Sequence, residues 1–140
     1  MGKCERYAQK YGANAYFVFR VLVGLLFLQH GVQKLFGMFG GVGSNGGTVQ
    51  LMSLMGLAGV IETVVGIALV LGLFTRLLAG VAAVEMLVAF FKAHFSVGNW
   101  VPLLNKGELA LLYVAVFLVV TVYGNGKWSL EEKLFKKEFF

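Results

Sequence analysis

The stretch Phe17–Phe36, FVFRVLVGLLFLQHGVQKLF, decides the fold because it is long and apolar and yet carries charged side chains. A helix needs about 20 apolar residues to cross a hydrocarbon core about 30 Å thick. Three more apolar stretches follow, which gives predicted spans of about 16–36, 51–74, 77–95 and 108–123. We therefore predict an all-α fold, an integral membrane four-helix bundle with up-down-up-down topology in a single domain, residues 1–140.

Composition excludes a soluble helical protein and several kinds of site. Hydrophobic residues make up 59% of the chain, and Val64–Phe74 has no polar residue on any face, whereas a soluble helix needs one. The single cysteine, Cys4, excludes an internal disulfide and a multi-thiolate metal site, and we predict no metal. We also expect no nucleic acid partner, because membrane topology accounts for the basic residues.

The placement of the basic residues predicts the orientation. Lysine and arginine precede the first span, follow the last one and occupy the Thr75–Arg76 turn, while the loop Gly37–Gln50 has no charge. By the positive-inside rule both termini are cytoplasmic in a prokaryotic inner membrane. We expect short amphipathic helices at both ends, over residues 3–13 and Leu130–Phe140, the second with Ser129 as its N-cap.

Ionisable residues inside the spans are the candidates for function. Each costs roughly 2.5–3.5 kcal/mol at the centre of a helix that crosses the membrane, so such residues usually face a partner, a cavity or a ligand. Glu62 and Glu85 lie about 17 and 15 Å below the outer face, among glycines and alanines that indicate a helix-facing surface. We expect Arg20 to reach towards one of these carboxylates from the cytoplasmic side. His30 and Lys34 are one turn apart nearer the outer face.

These positions give two sets of candidate residues and a less specific alternative for each. We assign His30, Glu62 and Glu85 to catalysis and Arg20, Gln33, Lys34, Lys92 and Glu108 to ligand binding, with His30, Lys34, Glu62 and Glu108 lining one polar pocket. The alternative for the lysines, Arg20 and Glu108 is that they extend to the headgroups. The alternative for the two carboxylates is a structural ion pair or a protonated carboxyl.

Four segments of the chain resemble the DoxX family. They are Arg20–Gly37 with its FLQHG and KLFG motifs, Glu62–Arg76 with LGLFTR, Asn105–Glu108, and Gly124–Leu130 with GNGKWSL. The match covers about residues 16–131. One departure is Glu131, where the family usually has aspartate after Trp-Ser-Leu, and it keeps the charge.

The resemblance implies a four-span inner-membrane protein linked to redox chemistry. Some members resemble a membrane subunit of thiosulfate:quinone oxidoreductase, and others are linked to oxidoreductase assemblies that handle thiol or oxidative stress. We therefore expect a membrane subunit that binds a quinone or another small apolar ligand and receives electrons from a partner redox protein. Whether it is itself an enzyme stays open, as does a homo-oligomer. The alternatives are a small proton-linked transporter and a scaffold or assembly factor without chemistry of its own.

Overall fold

The computed structural model describes residues 2–136, apart from the side chain of Lys3, and the regular elements of the described residues are all helices. The helices alternate in direction, so both ends of the described chain lie at one end of the bundle, here called the terminal end. The opposite end, which carries residues 37–53 and 95–107, is called the loop end. The elements are α1 (Lys3–Phe36), a 3-10 turn (Met38–Gly40), α2 (Leu54–Leu71), α3 (Thr75–Ala89) continued by a π-helical turn (Phe90–His94), α4 (Pro102–Asn105), α5 (Glu108–Tyr123) and α6 (Leu130–Phe135).

Local capping sets the helix boundaries. The α2 helix begins at Leu54 and not at Leu51, because the Ser53 side chain accepts a hydrogen bond from the amide of Gly56 at 3.0 Å. It ends at Leu71 because Gly72 takes the left-handed conformation. These two caps shorten the predicted span of residues 51–74 at both ends.

The helices form a membrane bundle. Among the described residues, α1, α2 and α3 with its π-helical turn are long and apolar enough to cross a membrane, and α5 is a shorter apolar helix. Large apolar side chains such as Leu22, Val64, Val84 and Leu112 point outwards along all four helices. Their exposure fits lipid as the surrounding solvent.

Small residues pair the helices two by two, α1 with α2 and α3 with α5. A Cβ added at Gly31 would lie 2.5 Å from the amide nitrogen of Thr63, and one at Gly66 would lie 2.7 Å from Leu28. The two backbones therefore touch, because glycine lets two helices approach closely. Alanines, among them Ala79 and Ala82, are buried in the second pair.

A hydrophobic core joins the two helix pairs. Phe27 packs edge-on against Phe117, with ring centroids 4.7 Å apart, and neither ring is exposed. Val65 and Leu69 of α2 belong to the same core. The contact between α2 and α3 is more limited than the contacts within the pairs.

The terminal segments depart from the prediction in detail. The basic N-terminal segment is helical, but it is continuous with the first span, so that α1 is 34 residues long. Ser129 is the N-cap of α6, as predicted, and accepts a hydrogen bond from the amide of Glu132 at 3.2 Å. The α6 helix ends at Phe135, and residues 137–140 of the predicted tail helix lie outside the described residues.

Candidate functional site

An ion pair inside the membrane forms the centre of the candidate site. The ammonium of Lys34 donates a hydrogen bond to Oε1 of Glu62 and forms a salt bridge with it. The Glu62 side chain is 2% exposed and that of Lys34 is 17% exposed. The pair links α1 to α2, where Gly59 leaves room for the stem of Lys34: a Cβ on Gly59 would lie 3.1 Å from the Cβ of Lys34.

Glu85 adds a second carboxylate from α3. It lies close enough to Glu62 and Lys34 for the charge of each to act on it. Both of its carboxylate oxygens are buried and, within residues 2–136, have no hydrogen-bond partner; the same holds for Oε2 of Glu62. Both carboxylates are thus turned away from lipid, as the small residues around them predict.

His30 and Tyr113 complete the group. Their rings meet edge to face with centroids 5.9 Å apart, which joins α1 to α5. His30 lies within range of the charge of Lys34, and Tyr113 within range of that of Glu62. We call His30, Lys34, Glu62, Glu85 and Tyr113 the polar cluster.

The polar cluster holds both donors and acceptors in an apolar setting. Lys34, the Tyr113 hydroxyl and the His30 ring can donate hydrogen bonds, and the three unpartnered carboxylate oxygens can accept them. A buried polar group without a partner is costly. The cluster is therefore suited to a small ligand that presents polar atoms, or to the uptake and release of protons.

Three other predicted residues lie nearer the loop end. Gln33 is half-buried beside Lys34, and Lys92 is exposed on the π-helical turn. Glu108 is exposed in the first turn of α5, and the described contacts do not join it to the polar cluster. The structure thus brings together three members of the predicted pocket, His30, Lys34 and Glu62, and leaves Glu108 apart from them.

Arg20 is directed away from the polar cluster. Its guanidinium is fully buried at the terminal end, where it donates hydrogen bonds to the carbonyl oxygens of Asn125 and, at 3.3 Å, Trp128. The expectation that Arg20 reaches a carboxylate near the midplane is wrong, because the segment that follows α5 folds back over it. Arg20 belongs to a separate group of contacts.

That group fastens the C-terminal segment to the α2–α3 turn. The buried carboxylate of Glu131 accepts hydrogen bonds from the amide of Phe74 at 2.7 Å and from the side chain of Asn125 at 2.8 Å. The side-chain oxygen of Asn125 also accepts a hydrogen bond from the Thr75 hydroxyl. We call Arg20, Thr75, Asn125 and Glu131 the terminal-end network. It gives the GNGKWSL and LGLFTR motifs a structural role.

Arg76 caps α5 in the same region. Its guanidinium donates to the last carbonyl oxygens of that helix, those of Thr121 at 3.0 Å, Val122 and Tyr123 at 3.5 Å. A cation at a helix C-terminus also interacts favourably with the helix dipole. These contacts tie the α2–α3 turn to the end of α5.

Sequence reasoning missed two residues that matter here. Tyr113 was overlooked because α5 is apolar throughout; the only signal is a phenol in the middle of that apolar stretch. Asn125 was overlooked because a polar residue between two glycines resembles an ordinary turn. Its burial, at 3% exposure, follows from contacts made far along the chain.

Comparison with known proteins agrees with the architecture. The profile of the DoxX family matches residues 15–95. A Haemophilus influenzae protein named "Uncharacterized protein" is 43% identical over 124 residues, which cover 84% of this chain and 89% of that protein. The "Uncharacterized membrane protein Rv3486" of Mycobacterium tuberculosis is 30% identical over 136 residues, covering 84% of this chain and 80% of that protein. No solved structure matches the chain significantly. Because the profile covers more than half of the chain and both relatives span most of it, this membrane protein belongs to the DoxX family.

Proposed function

We propose that the protein is the membrane subunit of an oxidoreductase assembly and binds the head of a quinone at the polar cluster. One observation carries the proposal: donors and unpartnered carboxylate oxygens meet inside an otherwise apolar bundle. Ionisable groups at membrane depth are expensive and usually mark ligand or proton sites. The resemblance to a family in which some members are linked to redox assemblies supports the same proposal.

The residues of the cluster fit a quinone. A quinone brings two carbonyl oxygens that accept hydrogen bonds and a ring that takes up two electrons and two protons. Lys34, Tyr113 and His30 supply donors for the carbonyl oxygens. Glu62 and Glu85 lie next to them and hold or release protons. The electrons come from a partner redox protein, because none of these side chains is an electron carrier.

We place the protein in the cytoplasmic membrane of a prokaryote with both termini in the cytoplasm. Arg6, Lys10, Arg76, Lys127 and Lys133 all lie at the terminal end. This distribution supports a cytoplasmic terminal end by the positive-inside rule. The polar cluster then extends from the midplane of the membrane towards its outer face.

Binding of a tailless ubiquinone analogue to protein in nanodiscs, with empty nanodiscs as the blank, tests the proposal. Tyr113→Phe removes one hydroxyl and keeps the ring that packs on His30 and Phe117, and Glu85→Gln removes one charge. We expect Tyr113→Phe to weaken binding of the oxidised quinone about tenfold, the equivalent of one hydrogen bond, and Glu85→Gln to weaken binding of the reduced quinol, whose hydroxyl groups can donate to the carboxylate. Thr121→Val is the matched control, because the Thr121 hydroxyl bonds only to the carbonyl of Phe117 near the terminal end.

The same experiment separates the proposal from a structural role. If the wild-type protein retains no quinone above the blank, the proposal is wrong and the Lys34–Glu62 pair only holds α1 to α2. If quinone binds but Tyr113→Phe, Glu85→Gln and Thr121→Val all keep wild-type affinity, the ligand binds elsewhere and the cluster is not its site.

A further inference from the structure

An apolar opening lies between α2 and α3. The two helices are joined by a tight turn at the terminal end and leave between them a groove of about 860 Å³. We call this the α2–α3 groove. Its walls are lined by Leu54, Met55, Leu57, Ala58 and Ile61 of α2, and by Arg76, Leu77, Gly80, Val81, Val84, Glu85, Val88, Ala89, Lys92 and Ala93 of α3 and its π-helical turn.

The groove is apolar along its length and charged in three places. Arg76 lies at the terminal end and Lys92 at the loop end. Between Arg76 and Lys92, α3 rises about 24 Å at 1.5 Å per residue. The groove therefore follows most of the thickness of a hydrocarbon core. The third charged residue, Glu85, lies between these ends.

Glu85 connects the groove to the polar cluster. Its side chain lines the groove, while its carboxylate is buried, unpartnered and within range of the charges of Lys34 and Glu62. Ile61, the residue before Glu62, lines the opposite wall. A molecule in the groove therefore lies next to the cluster without crossing either end of the bundle.

The size of the groove decides what can occupy it. A helix about 10 Å in diameter and 24 Å long fills about 1,900 Å³, more than twice the volume of the groove. A transmembrane helix of a second copy would therefore lie mostly outside the groove. The volume lies within the range of about 300–1,000 Å³ that is common for small-molecule sites.

We propose that the α2–α3 groove holds the isoprenoid tail of the ligand while the head binds the polar cluster. This inference rests on the proposed function and narrows its ligand class to long-chain isoprenoid quinones. Lipid is as apolar as the groove, so the tail gains little from leaving the bilayer. The groove matters because a head bound at the cluster needs an apolar path along which its tail can leave the bundle.

Blocking the groove with bulky residues tests this. Ala58→Trp fills the α2 wall and Ala89→Trp the α3 wall, both near Glu85, and Leu87→Trp is the matched control on a lipid-exposed face outside the groove. Binding of a geranyl-tailed ubiquinone and of the tailless analogue is measured for each variant in nanodiscs. We expect both groove variants to lose at least tenfold in affinity for the tailed quinone and to keep wild-type affinity for the tailless one. The control should bind both as the wild type does.

Retained binding of the tailless quinone also shows that each variant is folded. If Ala58→Trp and Ala89→Trp bind the tailed quinone as tightly as the wild type, the tail lies elsewhere and the inference is wrong. If geraniol, which has the tail without the head, displaces the tailed quinone but not the tailless one, the inference is supported. If the tailless quinone does not bind even to the wild type, the proposed function fails first and the inference with it.

Discussion

Replacing Arg20 by methionine should release the C-terminal segment from the bundle. Arg20 is 0% exposed and donates to two backbone carbonyls, those of Asn125 and Trp128. Each hydrogen bond from a charged donor contributes about 1.5–3 kcal/mol, so the gross loss is about 3–6 kcal/mol. Methionine removes the cost of burying a guanidinium, which returns part of this loss. We expect the free energy that holds the segment to fall by about 2–4 kcal/mol, which raises its open population about 30- to 700-fold.

Limited trypsin digestion in nanodiscs measures this release at Lys127. Lys127 is exposed, but its neighbours Asn125 and Trp128 are held by Arg20, so cleavage requires local opening and follows the open population. Arg20→Lys keeps the charge but lacks the guanidinium that donates to both carbonyls. Its cleavage rate at Lys127 should lie between those of Arg20→Met and the wild type.

Cleavage at Lys10, in the exposed part of α1, is the internal control. If the cleavage rate at Lys127 in Arg20→Met rises by less than about threefold over the wild type, the reasoning is refuted. Equal increases at Lys127 and Lys10 would also refute it, because they would indicate loss of the whole bundle and not of one segment.

Two further predictions concern helix packing and orientation. Gly31→Ala should lower the free energy of unfolding by about 1–3 kcal/mol, because the new Cβ would lie 2.3 Å from Oγ1 of Thr63; Gly12→Ala, with nothing within 4 Å, should not lower it. Equal thermal midpoints for the two variants would contradict the close α1–α2 packing. An impermeant maleimide should label Cys4 only after the cytoplasmic membrane is permeabilised, and should label the Cys4→Ser, Ser44→Cys variant in spheroplasts with an intact membrane. The reverse pattern would overturn the proposed orientation.

The helix-facing surface around Glu62 could be predicted because its signal is local, but the helix that packs against it could not. Gly24, Gly31, Gly59 and Gly66 recur at helical spacing, and the structure places them where α1 and α2 touch. The ends of α2 were less predictable. Apolar residues continue past both caps, and only the geometry of Ser53 and Gly72 shows where the helix stops.

The candidate site could be predicted only in part for a related reason. Lys34, Glu62 and Glu85 are conspicuous because charge is rare in apolar spans, and the structure brings them together. The direction of Arg20 depends on contacts with residues more than a hundred positions away, which no local pattern records. The position of Arg20 on α1 is equally compatible with a side chain that extends towards the terminal end or towards the loop end.

The bundle is electrically asymmetric. Between Glu62 and the terminal-end network, α2 runs about 14 Å past Val65 and Leu69, which belong to the same hydrophobic core as Phe27 of α1 and Phe117 of α5. If protons are exchanged at the polar cluster as proposed, this apolar stretch would leave the loop end as their route. Chemistry at the cluster would then consume or release its protons on that face alone. The net charge moved across the membrane would depend entirely on the side from which a partner delivers the electrons.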